Sequence, residues 1–288
     1  MSLHRVGYRS ASMKNWARLA AAIALAASCT FSFLPSAGAG AATGGLGVMI
    51  PAHPGRVIPT SNATEDSLNW SGYAVTNPAG HKITKVTSTF VVPAVNSTTP
   101  GFGATWTGIG GFNTSDLIQA GTAEEYIPGL GPNYYAWYEI LPASETDIAG
   151  NCATDSACTV RPGDTVTITI ATSGNIQSNQ AWTISMTDAG HWTFAKTLNY
   201  ASTYSSAEWI LEAPTVGVQT VMPMMANTLF DPNSTFTLDG GTTAQNVASG
   251  SPVEVTMNQV EGIPSAIDAD GDGFTACAYA LSCPTPAS

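Results

Sequence analysis

The sequence predicts an all-β fold, an antiparallel sandwich of two sheets, on the strength of two observations. From Leu68 onward the chain consists of short stretches rich in Val, Ile, Thr, Trp and Tyr, and turn residues close each stretch at intervals of roughly 8–12 residues, as in β-sandwiches. No stretch has the 3.6-residue amphipathic period of a helix. The part of the chain with this pattern, roughly 220 residues, is long enough for one two-sheet core.

The strand candidates follow one another along the chain, and each joins β-branched or aromatic residues to a turn signal. In order they are KITKVTSTFVVPAV, ATWTGIGG, YYAWYEILP, DTVTITIATSG, AWTISMTDAG, HWTFAKTLNY, AEWILEAP, STFTLDGG and PVEVTMNQV. In AEWILEAP, the period of two places Glu208, Ile210 and Glu212 on one face and Trp209 and Leu211 on the other.

The N-terminal region has the residue pattern of an export signal and not that of a folded domain. Basic residues precede the apolar run LAAAIALAASCTFSFL and the small residues PSAGAGAA, which is the order of a secretory signal. We therefore predict a signal peptide over 1–39, a Gly- and Pro-rich pro-segment or flexible arm over 40–65, and one β-sandwich domain over 66–288. The protein is expected to be secreted, with no membrane association after signal removal.

Charge excludes some partners. All 20 acidic residues but only five of the nine basic ones lie beyond residue 42, which gives that part a formal net charge of −15. Nucleic acids and anionic membranes require basic surface, so we expect neither as a partner. Loss of this charge in acid relieves self-repulsion, which predicts acid tolerance. A secreted protein whose surface simply carries few charged residues, without any adaptation to acid, would have the same composition.

The four cysteines beyond the leader are expected to form disulfides, since an even number in an exported protein favours them. Spacing suggests two local loops, Cys152–Cys158 and Cys277–Cys283, although three pairings are possible. The sequence contains no C-x-x-C or H-x-x-x-H spacing of the kind that would indicate a zinc site. We expect neither a metal nor another cofactor.

Several catalytic and metal motifs are absent or incomplete. There is no G-x-S-x-G and no H-E-x-x-H, and His81 and His191 lie in ordinary loop or strand-end positions. DADGDGF, with Asp268, Asp270 and Asp272, matches the first half of a calcium loop. Its twelfth position is Tyr279 instead of a glutamate, so a hairpin turn is the favoured interpretation.

Three polar residues remain inside apolar strands, where each needs a partner or a purpose. They are Gln119 in DLIQAG, Glu139 in AWYEILP and Glu212 in AEWILEAP. Taken singly, each fits the polar outer face of a sandwich. Together with the tryptophans of the same strands, they predict a groove for an extended polymer, either peptide or sugar.

Five motifs occur in order: NWSGYAV at 69–75, TWTGIGG at 105–111, LIQAG at 117–121, AWYEILP at 136–142 and AEWILE at 207–212. With them the chain resembles the glutamic peptidases of the eqolisin type, the G1 family, and particularly its bacterial members. The resemblance runs from about Leu68 to near residue 280. It implies a jelly-roll or concanavalin-like sandwich with the active site on the concave face of one sheet, and synthesis as a precursor.

The resemblance also implies the site residues. Its catalytic glutamine falls on Gln119 and its catalytic glutamate on Glu212. The tryptophan and the acid of its motifs fall on Trp106 and Glu139, which are expected to support the site. Apart from the resemblance, Trp70, Tyr138 and Glu208 are further residues expected to support the site or line the substrate groove. Fungal members have an aspartate where this chain has Gly110, a departure expected to change the hydrogen bonds around the glutamate.

These residues predict an acid endopeptidase that acts on polypeptides as a monomer. Ionised Glu212 would activate water as general base, and Gln119 would stabilise the oxyanion. Two alternatives stay open. A glycoside hydrolase would use Glu139 and Glu212 as paired carboxylates, and a carbohydrate-binding sandwich would need neither for turnover.

Overall fold

The computed structural model describes residues 64–77, 80–172, 176, 179–216, 218–258 and 261–288. The predicted signal peptide and nearly all of the predicted pro-segment lie outside the described residues. No helix among those described is long and apolar enough to span a membrane.

The described residues form an almost purely β structure, as predicted, together with a 3₁₀ helix at Val247–Gly250. The strands are β1 (Thr64–Ser67), β2 (Trp70–Thr76), β3 (Ile83–Val91), β4 (Gly101–Ile109), β5 (Ile118–Ile127), β6 (Gly131–Ile140), β7 (Thr146–Asp147), β8 (Thr165–Thr172), β9 (Gln180–Asp188), β10 (Trp192–Tyr200), β11 (Ser206–Glu212), β12 (Thr215–Val216), β13 (Val218–Gln219), β14 (Thr228–Phe230), β15 (Thr235–Leu238), β16 (Gln245–Asn246), β17 (Val253–Met257), β18 (Gly262–Pro264) and β19 (Phe274–Ala278).

The hydrogen-bonded strands curl into two layers. The first layer has the order β1–β17–β2–β11–β4–β5–β6–β7, and the second has the order β10–β9–β8–β3–β14–β19–β18, with β15 also on β3. The layers are continuous through the pairing of Met257 in β17 with Gly262 in β18. All these pairings are antiparallel except β1 with β17, which is parallel. The predicted sandwich is thereby confirmed.

The main core lies between the two layers. It joins Val75 and Trp209 of the first layer to Phe90 and Ile168 of the second. A second apolar cluster contains Trp70, Trp106, Trp137 and Ile210, all from the first layer. Alternation along each strand puts this second cluster on the opposite face of the first layer, which we call the site face.

Both predicted local disulfides are confirmed. Cys152 is bonded to Cys158, and Cys277 is bonded to Cys283. Each closes a loop with a sequence separation of only six residues, so each fixes a local turn and constrains little of the unfolded chain.

Candidate active site

Strand β11 carries two glutamates on the site face because its residues alternate as the sequence predicts. Trp209 and Leu211 pack into the core between the layers, and Ile210 packs into the cluster on the site face. Glu208 and Glu212 are one alternation step to either side of Ile210 and therefore share its face. Both are essentially inaccessible to solvent.

Glu212 is held by nitrogen donors from two neighbouring strands. In register, it lies opposite Trp70 of β2 and Ala104 of β4. The side-chain amide of Asn69, just before β2, donates to Oε1 at 2.8 Å, and the indole N–H of Trp106 on β4 donates to Oε2 at 2.7 Å. Each carboxylate oxygen therefore accepts a hydrogen bond, an arrangement that favours the ionised form.

Burial acts against these donors. Removal from water raises the pKa of Glu212 to about 7, while the hydrogen bonds of Trp106, Trp70 and Asn69 lower it by a smaller amount. The pKa of this carboxyl group therefore lies well above that of an ordinary glutamate. A carboxylate with such a pKa can both take and return a proton under mild conditions.

Gln119 and Glu139 form a second polar pair. They lie directly opposite each other on β5 and β6. The side-chain Nε2 of Gln119 donates to Oε2 of Glu139 at 2.7 Å. This contact fixes the orientation of the amide, because a carboxylate accepts hydrogen bonds and the amide oxygen cannot donate one. The second N–H of the same nitrogen is left for another acceptor.

The strand register places Gln119 nearer to Glu208 than to Glu212. Gln119 lies opposite Gly108 of β4, and Gly108 lies opposite Glu208 of β11, so these residues form one row across the layer. Glu212 is four residues further along β11. Trp106 lies on β4 between the two rows and contacts Glu212 through its indole N–H.

Glu208 has a different electrostatic character from Glu212. Burial raises the pKa of Glu208 well above its ordinary value, and the charge of Asp116 adds to the effect. Ser206 and the backbone of Phe112 lower this pKa by a smaller amount. Burial therefore favours the protonated form of Glu208, which is less suited to accepting a proton than an ionised carboxylate.

Tyr138 is one of two groove candidates that the fold does not bring to the site face, the other being Trp209 in the core between the layers. Tyr138 packs against the core between the layers, and its ring stacks on Phe194 of β10 with 5.9 Å between centroids. Because side chains alternate along β6, its neighbours Trp137 and Glu139 occupy the other face. Trp70, Trp106, Glu139 and Glu208 do lie on the site face.

The space beside Gly110 is occupied by an aspartate from elsewhere in the chain. Gly110 has φ +85°, and a Cβ atom there would lie 2.6 Å from the carbonyl oxygen and 2.9 Å from Oδ2 of Asp116. The Asp116 carboxylate is held by the backbone N–H of Thr203 at 2.7 Å. A carboxylate near Glu208 is therefore present although position 110 is glycine.

A further acidic group near Glu212 was missed in the sequence. The amide of Asn133 donates to Glu125 at 2.9 Å, and the hydroxyl of Tyr135 donates to it at 3.4 Å. Burial raises the pKa of Glu125 to about 7 and that of Glu145 to about 8, and the charge of Glu212 contributes to the second shift. The alternation that starts at Gln119 indicates the position of Glu125, whereas nothing local indicates Glu145.

Two groups of side chains among the described residues could hold a metal ion. One is Asp164, Asp188 and His191, and the other is Asp231, Asp268 and Asp272. Neither group contains a residue of the site face described above.

Comparisons with known proteins agree with this fold. The model of the peptidase A4 family matches residues 68–279. Scytalido-glutamic peptidase, solved with a peptide-based transition state analog, is 18% identical, with a TM-score of 0.55 over 73% of this chain and 98% of that one. SCP-B, an eqolisin solved with the tripeptide Ala-Ile-His, is 16% identical, with a TM-score of 0.53 over the same shares. No curated protein sequence matches.

Proposed function

The chain belongs to the peptidase A4 family, the eqolisins, and is a glutamic-type peptidase; on that premise we propose that it is an endopeptidase with Glu212 as general base and Gln119 as oxyanion donor. One observation carries the proposal. The site face holds a carboxylate bound by N–H donors and an amide anchored by a carboxylate, on two rows that are separated by the row of Trp106. The peptide ligands of the two similar structures support a polypeptide substrate.

The first step is attack of water on the peptide carbonyl. Ionised Glu212 removes a proton from the water as its oxygen bonds to the carbonyl carbon, and the carbonyl oxygen becomes negative. The free N–H of Gln119 donates to that oxygen. Because Glu139 holds the amide in place, little reorganisation is needed when the charge develops.

The second step is cleavage of the carbon–nitrogen bond. Glu212, now protonated, transfers its proton to the leaving nitrogen as the tetrahedral intermediate collapses. This returns the carboxylate to the ionised form and releases an amine and a carboxylic acid. The pKa of about 7 suits both transfers, because it lies closer to neutrality than that of an ordinary glutamate.

Entry of water with the substrate partly reverses the burial that raises this pKa. The donors Asn69, Trp70 and Trp106 then shift it toward the ordinary glutamate value. A lower pKa in the open site would extend activity into the acid range. The two disulfides and the N-terminal sequence support the related proposal that the enzyme acts outside the cell.

Proteolysis of a denatured protein tests the function. The chain freed of residues 1–65 should cleave the protein within its sequence between about pH 3 and 7, and Gln119→Ala should lower kcat by about 10²–10³-fold, as for other oxyanion donors. Cleavage of a polysaccharide, with Gln119→Ala as active as the wild type, would instead support a glycoside hydrolase. The family does not favour that alternative, and Glu139 is engaged by Gln119.

A further inference from the structure

We propose that Asp231, Asp268 and Asp272 form a calcium site that joins two turns at the edge of the second layer. Asp231 follows β14, and the turn 268–273 precedes β19. These strands are paired, with Phe230 opposite Phe274, so the two turns are adjacent. One carboxylate oxygen from each aspartate lies within 4.8 Å of the others.

Asp268 provides the strongest indication of a ligand. Its side chain is about nine-tenths buried, with 9% exposure. Oδ1 accepts the backbone N–H groups of Gly271, Asp272 and Gly273 at 2.9, 3.2 and 3.1 Å. Oδ2 is buried, and no donor among the described residues reaches it. A buried carboxylate oxygen without a donor is costly unless a cation or water contacts it.

This oxygen is directed toward the other aspartates. A Cβ atom at Gly273 would lie 2.2 Å from Oδ2 of Asp268 and 2.8 Å from Oδ1 of Asp231. The two oxygens therefore converge above a position where only glycine leaves room. Asp272 is oriented in a similar way, because its Oδ2 accepts the backbone N–H of Asn233 at 3.1 Å while its Oδ1 is buried without a donor.

The group carries negative charge that no nearby basic side chain balances. In the described part of the chain, the ion pairs involve only His81 and His191, neither of which contacts this group. At neutral pH the carboxylates repel one another, and a divalent cation would convert that repulsion into attraction.

The donor set favours calcium. Ca²⁺ takes six to eight oxygen ligands in flexible geometry, whereas Mg²⁺ requires a near-ideal octahedron. The motif DADGDG lacks the glutamate that closes an ordinary calcium loop, because Tyr279 stands there and donates its hydroxyl to the carbonyl of Met222 at 2.7 Å. Asp231, distant in sequence, supplies a carboxylate from the side of the turn instead.

Thermal unfolding with and without calcium tests this site. Protein treated with a chelator should gain roughly 5–10 °C in Tm when Ca²⁺ is added at neutral pH at about 100 times its dissociation constant. Mg²⁺ at the same concentration should give a much smaller gain. Asp231→Asn should abolish the response to Ca²⁺, and Asp66→Asn, the same change on β1, should retain it.

Calorimetric titration of the wild type with Ca²⁺ gives an answer that does not depend on any variant folding. One binding site per chain is expected. Absence of binding heat, or equal Tm gains from Ca²⁺ and Mg²⁺ that persist in Asp231→Asn, would overturn the proposal, since only general ionic effects would remain.

Discussion

The indole N–H of Trp106 donates to Oε2 of Glu212 at 2.7 Å and so connects β4 to the proposed base on β11. Both residues are fully buried on the site face. The bond stabilises the ionised carboxylate more than the protonated carboxyl group, because a hydrogen bond to a charged acceptor is stronger than one to a neutral acceptor. If Glu212 is the base, as proposed, Trp106 acts through the pKa of Glu212 as well as through packing.

Trp106→Phe should raise the pKa that governs the acid limb of kcat/KM. A hydrogen bond to a charged group contributes about 1.5–3 kcal/mol, which corresponds to a shift of roughly 1–2 pH units. The pH dependence of kcat/KM reports this pKa in the free enzyme. Activity should therefore be lost at a higher pH in the variant than in the wild type.

Trp137→Phe is the matched control, since it removes an indole N–H from the same face but none of the hydrogen bonds to Glu212 involve Trp137. Its acid limb should stay at the wild-type position. An unchanged limb in Trp106→Phe, or equal shifts in both variants, would show that the indole does not act through Glu212.

Glu139→Ala should lower kcat while changing KM little. The substitution frees the amide of Gln119 to rotate, and misplacement of a catalytic group by about 1 Å can cost about 10²-fold in rate. Glu139→Gln retains an oxygen that accepts the same hydrogen bond, so it should recover much of the activity. A loss that is as large in Glu139→Gln, with both variants folded, would instead indicate that the charge of Glu139 is needed.

Stability should be greatest in acid and decrease as the pH rises toward 8. Burial raises the pKa of Glu125 and Glu212 to about 7 and of Glu145 to about 8, against an unfolded value near 4.5. Between the unfolded pKa of 4.5 and the folded values of about 7 to 8, the folded state binds more protons than the unfolded state. The free energy of unfolding therefore falls as the pH rises through this range. Their contribution is complete below about pH 4.5 and is lost through pH 7–8.

Urea unfolding at a series of pH values shows whether the free energy of unfolding falls or rises with pH. Glu125→Gln mimics the protonated side chain and should flatten the decrease, whereas Asp66→Asn, which changes an exposed acid, should leave it unaltered. A free energy of unfolding that rises between pH 5 and 8 would contradict the buried, neutral state of these carboxyl groups.

Local patterns in the sequence were sufficient to predict a two-sheet sandwich, to favour the two local disulfides and to assign each residue of β11 to a face. Alternation depends only on the strand conformation, so Trp209 and Glu212 could be assigned to opposite faces without the structure. The same rule separates Tyr138 from Glu139 and assigns them to opposite faces of β6.

Relationships across strands could not be read from the sequence, because register depends on how distant strands pair. The row that joins Glu208 to Gln119 through Gly108 is of this kind, as is the approach of Asp231 to the turn at Asp268. The approach of Asp116 to Gly110 could not be read from the sequence either, because it depends on how the chain between these two residues folds.

The central claim is that Glu212, and not the other glutamate of β11, is the base. The most direct test compares kcat for cleavage of one peptide by Glu212→Gln and Glu208→Gln, both folded. The account predicts a loss of about 10²–10⁴-fold for Glu212→Gln, typical of a general base, and near wild-type kcat for Glu208→Gln, because burial and the charge of Asp116 raise the pKa of Glu208 and favour its protonated form. The reverse result, with Glu208→Gln inactive and Glu212→Gln active, would contradict it and assign the base to the residue in register with Gln119.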